Sequence, residues 1–362
     1  MDFYGNRHSE TYTYKRVAFS NWQEHEAYGY ITNGDVEYNV DSELKVTGSF
    51  DFEGYEKPVI SDLIRIYYSF TDDEGLKFNE PIATLFVSYA SLNLVDTVNG
   101  IKSTGTLDGT SVLKALQEKV IPLPMTISKN DNPVYYAQDL VKSCGLQVNA
   151  EPTSYVMGKS YTFEAGSTYL EIVNELMSFA NYKEAFPDAM GVVQLISTID
   201  ADEVVFRNDD KSIMYPEVAE DNDWQETPNI VYLLYNTTDA CISAYAKNMS
   251  GGRSSLDVRG REICYFEEVS DIGTGNQRQA MYDLAVSYLQ NKSSDIEYVT
   301  ISHAYVPMMI YNPITIDYGD LEWTGQIDTF KVTLSPSTKT ETRLKKVLTQ
   351  NVEIEAGSEV IR

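Results

Sequence analysis

The sequence predicts an α+β, β-dominated fold in which two β-rich units flank a helix-containing α+β insertion. Short apolar–polar alternations separated by turn residues fill 11–106 and most of 229–355, the period-two signature of strands. Helical periodicity with matching cap residues concentrates between 110 and 181. The third observation is compositional: 27 Tyr stand beside 13 Phe and 3 Trp, a bias that suits half-buried sheet faces and subunit interfaces. Together these place a first β domain at 1–108, the insertion at 109–222, and a second β domain with one embedded helix at 223–362.

In the first unit, 35–46 runs into 47–52, then 63–70 precedes the turn at Asp72, Asp73, Glu74 and Gly75, and 82–94 follows. Segment 63–70 is mostly apolar, so it is expected to be covered on both faces. Asn33-Gly34 reads as a hairpin turn. The acidic run reads as a solvated hairpin tip in preference to a cation site.

The insertion opens with a helix capped by Thr110 or Ser111, with Val112, Leu113, Leu116 and Val120 on one face and Pro122 beyond its end. A second helix starts at Asn132 with Pro133 in its first turn, turns Tyr136, Ala137, Leu140, Val141 and Cys144 inward, and stops at Gly145. The third has the strongest signal: Thr168 and Glu171 form a capping box, and Tyr169, Ile172, Val173, Leu176, Phe179 and Ala180 repeat at helical spacing. A hairpin from 190–197 and 203–207 closes the unit, and the acidic, Pro-containing stretch 208–229 reads as a boundary. Strands then return at 229–235, 240–247 and 262–268. A helix at 277–290 carries Met281, Leu284, Ala285, Tyr288 and Leu289 on one stripe, and strands resume at 296–303, 314–318, 322–334 and 350–355.

Composition excludes several functions. With 28 basic against 54 acidic residues, the formal charge is −26, so tight nucleic-acid binding, which needs clustered Lys and Arg, is not expected. Cys144, Cys241 and Cys264 are far apart, form no metal-ligand spacing, and read as small buried hydrophobes. The first residues lack a charged and an apolar signal region, so synthesis in a cytoplasm without secretion is expected. No window holds the ~20 apolar residues of a spanning helix.

Chemistry is equally sparse. His8, His25 and His303 are the only histidines, and none stands at ligand or nucleophile spacing. The Ser250–Ser255 stretch lacks the strand-then-helix setting of a nucleophile elbow, and Gly273-Thr274-Gly275 is too short for a phosphate loop. A carboxylate pair for glycoside hydrolysis is always available among so many acids, which makes that signal empty. The sequence therefore predicts no catalytic, cofactor-binding or metal-binding residue, no cofactor and no enzyme, and it names no interface residue.

Several segments carry a resemblance. After the helix at 277, the order runs Asp-Ile-Glu-Tyr-Val-Thr-Ile-Ser at 295–302, Pro-Ile-Thr-Ile-Asp-Tyr at 313–318, and Gly-Gln-Ile-Asp-Thr-Phe-Lys-Val-Thr-Leu-Ser-Pro at 325–336. With the helix-bearing 162–181 and the glycine-then-strand 191–195, this resembles phage baseplate hub and tail-tip proteins over 163–344. The resemblance implies two tube-like β-barrel or sandwich domains and a homotrimer whose six domains form a pseudo-sixfold ring. It also implies a virion structural protein, made late, that acts as a symmetry adaptor between a sixfold tail tube or distal tail protein and a threefold tip, spike or fibre. A tape-measure protein is a further partner, and DNA crosses the lumen during ejection without specific binding. Acidic side chains facing that lumen would repel phosphate. Many relatives continue into receptor-binding or peptidoglycan-cleaving extensions; with none expected after Arg362, no lytic activity is implied. The competing expectation is a carbohydrate-binding, adhesin-type β protein with exposed aromatics on a sheet face, and a cell-wall hydrolase stands behind it.

Overall fold

The computed structural model describes residues 8–54, 62–72, 77–98, 100–197, 204–207, 214–222, 227–237, 240–251, 254–272, 276–293, 297–318, 321–335, 340–346 and 353–361. The expected acidic tip at 73–75 and the glycines at 273–275 lie outside them. The chain is β-dominated with few helices, as its composition predicts.

Six antiparallel strands come first: β1 (His8–Val17), β2 (Glu24–Asn39), β3 (Val46–Gly54), β4 (Leu63–Asp72), β5 (Lys77–Thr97) and β6 (Gly100–Ser111). Their neighbour order β1-β4-β5-β6-β3-β2, with β2 returning to β1, closes a barrel. The apolar run of β4 is buried on both faces over 63–68, because one face meets the barrel core and the other meets the insertion. Asn33 and Gly34 do not turn the chain. They lie inside β2, where register against β3 slips between Ile31 and Asn33. Gly34 takes φ 137°, and a Cβ there would sit 2.4 Å from the Ser49 carbonyl oxygen, so a bulge demands the glycine. The chain reverses at 40–45 instead, with Lys45 at φ 63°.

The insertion contains α1 (Lys114–Gln117), β7 (Met125–Ile127), α2 (Pro133–Ser143), β8 (Val148–Ala150), β9 (Tyr161–Phe163), α3 (Tyr169–Phe179), β10 (Phe186–Pro187) and β11 (Val193–Leu195). Asn132 Oδ1 accepts from the Val134 and Tyr135 amides, and Thr168 and Glu171 make both bonds of the capping box. Val134, Ala137 and Val141 of α2 join Leu170, Val173 and Leu176 of α3 in one core. The first helix is a single turn. Beyond it Val120 is exposed and bridges Thr168, while Ile121 donates to Ser167, so tertiary pairing overrides helical propensity.

Next come β12 (Val204–Arg207), β13 (Met214–Asn222), β14 (Ile230–Asn236), β15 (Cys241–Ser250), α4 (Leu256–Arg259), β16 (Cys264–Glu268) and α5 (Gln277–Ser293). The final strands are β17 (Glu297–His303), β18 (Pro313–Tyr318), β19 (Leu321–Thr333), β20 (Thr340–Lys346) and β21 (Glu353–Val360). The hairpin expected to close the insertion does not form: β11 pairs with β10 and β8, whereas β12 lies along β18. The stretch read as a boundary holds strand β13, paired with β17. A separate sheet, β16-β14-β15-β21, packs Val231, Leu233, Tyr235, Ile242, Ala244 and Ala246 against Met281, Ala285 and Leu289 of α5.

The other late strands form a second set of six, with neighbour order β12-β18-β19-β20-β17-β13. Numbering each set from one to six along the chain gives 1-4-5-6-3-2 for the barrel and 1-4-5-6-3-2 again for the second set. Irregularities repeat too. The second strand slips register in both, at Ile31/Asn33 and Met214/Val218, and so does the fifth, at Tyr89/Ser91 and Ile327/Thr329. The sets differ in two ways. Among the described residues β12 and β13 do not pair, and β12 runs parallel to β18 where β1 runs antiparallel to β4. The α+β insertion separates the sets, and β14, β15, β16 and α5 are inserted between the second and third strands of the later one, while β21 follows its sixth.

Candidate assembly surface

The two sets are joined edge to edge. Residues 35–39 of β2 pair antiparallel with 329–333 of β19, just past the segment of β19 that β18 covers. Val36 faces Val332 and Tyr38 faces Phe330, all four buried. On the outer face Lys331 Nζ lies 3.2 Å from Asp35 Oδ2. The Leu334 amide donates to Gly34 O (2.7 Å) and the Val40 amide to Asp328 O (3.0 Å), extending the joint at both ends. Both sets consequently share one core, from Tyr12 and Phe50 to Val299, Phe330 and Leu344.

Two equivalent edges have no strand beside them among the described residues. On β5, β4 covers only up to Phe86, and 87–97 pairs with β6 alone. On β13, β17 occupies one side and the other is open. Apolar side chains stand at the free part of β5 and its turn: Leu94 is 56 % exposed, and Val95, Val98 and Ile101 are likewise exposed.

A polar knot fixes the barrel to the insertion. The Arg65 guanidinium, 4 % exposed, donates to Thr84 Oγ1 (2.9 Å), Glu24 Oε1 (2.7 Å) and Met190 O (2.9 Å), while Thr84 Oγ1 donates to Ala189 O (2.9 Å). Burial alone would raise the Glu24 carboxyl, but bonds from Tyr67, Lys15 and Arg65 hold it at about 2. Burial and the same carboxylate push the Tyr67 hydroxyl up to about 12. The loop they grip turns at Gly191, φ 81°, where a Cβ would meet the Trp22 ring at 3.0 Å.

Candidate chemistry is dispersed. His25 is exposed, whereas His303 is fully buried, contacts Thr342 Oγ1 (2.7 Å) and Ala304 O (2.6 Å), and is held by burial at about 4, hence neutral. The cysteines are not the buried hydrophobes expected: Cys144 and Cys241 are half-buried and Cys264 is exposed, because it sits on the face of edge strand β16 turned away from α5. Contrary to the sequence expectation, the Ser250–Ser255 stretch does lead from a strand, β15, to a helix, but α4 is a single turn and Ser255 at its start donates to Asp257. A cleft of about 790 Å³ between α3, β16 and α5 is lined by Glu171, Glu175, Glu267, Glu268 and Asp271. Four of these five carboxylates are engaged: Glu171 in the capping box, Glu175 by the Ser270 hydroxyl, Glu267 by the Tyr265 and Tyr288 hydroxyls, Asp271 by the Tyr155 hydroxyl and the Gly158 amide.

Among the described residues the other face of the α5 sheet is uncovered at its exposed aromatics. Register sets Phe266, Tyr232, Tyr245 and Gly357 side by side across four strands. Phe266 is 63 % and Tyr232 38 % exposed.

No protein-family model and no curated protein matches the sequence. Solved structures do share the fold. The tail protein from Neisseria meningitidis MC58 aligns at TM-score 0.64 and 14% identity over 93% of this chain and 97% of that one. The prophage MuSo2 43 kDa tail protein from Shewanella oneidensis aligns at 0.60 and 12% over 93% and 98%. The prophage tail protein gp18 from Listeria monocytogenes EGD-e aligns at 0.51 and 11% over 92% and 94%. The chain has the fold of these tail proteins over nearly its whole length.

Proposed function

We propose that this chain is a structural hub or tail-tip protein of a phage or phage-like tail, without catalytic activity. It is made in the host cytoplasm and built into the virion tail as a homotrimer. Three copies supply six modules, so that the ring meets a sixfold tail tube or distal tail protein on one side and a threefold tip, spike or fibre on the other. DNA, and a tape-measure protein before it, would pass through the lumen, whose lining acidic residues repel phosphate. The observation that carries this reading is the repeated strand order 1-4-5-6-3-2: a duplicated module is what lets three chains occupy six equivalent positions. The fold shared with tail proteins supports it. Electron microscopy of tails bearing this chain tests it. Three copies in a ring at the tube end are expected, and a monomeric or peripheral position sinks the reading.

One observation favours a second reading, a glycan-binding tail protein: the row of exposed Phe266 and Tyr232 with half-buried Tyr245 offers ring faces on which a sugar can stack. Saturable binding of a neutral tetrasaccharide by a chain that forms no ring would favour it.

A further inference from the structure

We infer that the joint between neighbouring copies is an antiparallel β-pairing of the outer edge of β13, residues 218–222, with the outer edge of β5, residues 87–97, of the next copy. This rests on the ring reading above and adds the surfaces that close it. The chain already contains this joint once. Within one copy, the second strand of the barrel (β2) pairs with the fifth strand of the later set (β19). The second strand of the later set is β13 and the fifth of the barrel is β5. Other strands, β12, β16 and β21, also have a free side among the described residues, but β13 and β5 are the ones whose places in the repeated order match the internal joint, and each is open over the stretch its counterpart uses.

On the fifth strands, the fourth strand stops short. β18 covers β19 up to Gln326, and the joint occupies 329–333; β4 covers β5 up to Phe86, and 87–97 is bare. Both fifth strands carry their register slip where the free part begins, at Ile327/Thr329 and Tyr89/Ser91, and a bulge of this kind turns the strand away from its covered neighbour. On the second strands, the joint in β2 follows its slip at Ile31/Asn33, and 218–222 follows the slip in β13 at Met214/Val218. A long unpaired edge bearing exposed Leu94 and Val95 is also the kind of surface that proteins either cover or use for pairing. A second copy is the occupant that supplies the matching edge. The contact is heterologous, edge A to edge B, so it propagates around a ring instead of closing a twofold dimer.

Disulfide scanning tests the joint. In a Cys264→Ser background, Ala219→Cys is combined in turn with Ser91→Cys, Leu92→Cys, Asn93→Cys, Leu94→Cys and Val95→Cys, and purified tails are oxidised. The expected result is interchain dimers and covalent trimers on a denaturing gel at alternate β5 positions, since cross-strand bridging follows the two-residue period of side-chain direction. Single-cysteine variants should give none. Three copies resolved at the tail end with no crosslink at any of the five positions would overturn this joint while leaving the ring reading intact. Crosslinking by Ala219→Cys alone would overturn it in favour of a β13–β13 contact. Absence of a threefold ring removes the reading itself.

Discussion

Tyr38 and Phe330 stack face to face, ring centroids 4.4 Å apart and planes 10° from parallel, at the register pair where the two strand sets meet. The Tyr38 hydroxyl donates to Ile82 O at 2.8 Å, tying the stack to the barrel's far side. Phe330→Ala leaves a cavity in the shared core and is expected to cost roughly 3–5 kcal/mol, read as a fall in the urea midpoint. Tyr38→Phe keeps the stack and strands one carbonyl, for a loss of about 1–3 kcal/mol. Equal losses for the two would show the stack to be unimportant.

His303 makes stability depend on pH. Its folded value of about 4 lies below the ordinary 6.5, so between these limits the unfolded chain binds a proton that the folded chain refuses. Stability therefore falls as pH drops from about 6.5 to about 4, by an amount on the order of 3 kcal/mol, and this group removes no more below that. His303→Gln should flatten that segment of a Tm-against-pH curve; an unchanged slope refutes the assignment.

Arg65→Ala should release the insertion from the barrel. It leaves the Glu24 carboxylate and the Met190 carbonyl without their guanidinium, at a cost of about 3 kcal/mol. Arg65→Lys should not rescue, because the donors of a compact ammonium sit on one nitrogen and cannot span acceptors that Nε, Nη1 and Nη2 reach separately. Limited proteolysis should cut near 188–191 sooner in both variants than in the parent.

Thr168→Ala removes the acceptor for the Glu171 amide at the start of α3 and should cost about 1 kcal/mol. Glu171→Gln, which still reaches the Thr168 amide, should cost far less. A chemical denaturation series compares the two.

What was legible in the sequence is what is local. The caps at Asn132 and Thr168 specify their helix starts within four residues, and α5 and most late strands follow their periodicity. β20 was missed because Thr340 and Thr342 face the core beside Leu344, and buried threonines alternating with Glu341, Arg343 and Lys345 read as polar throughout. Asn33-Gly34 misled because a bulge and a hairpin turn ask for the same residues. The candidate assembly surface was illegible for a stronger reason: a free edge is defined by which strand fails to lie beside it, and pairings such as Asp35 with Thr333 span most of the chain. The repeated register slips were the available signal, but they emerge only once partners are known.

β21 completes the α5 sheet by pairing 353–360 with β15, some hundred residues earlier. During translation, the unit begun at Ile230 must wait, with the Ile242 side of its sheet partly unlatched, until the whole later strand set has left the ribosome. Completion of this sheet is thereby tied to completion of the later strand set, because the edge of β15 that β21 covers has no partner until residues 353–360 follow.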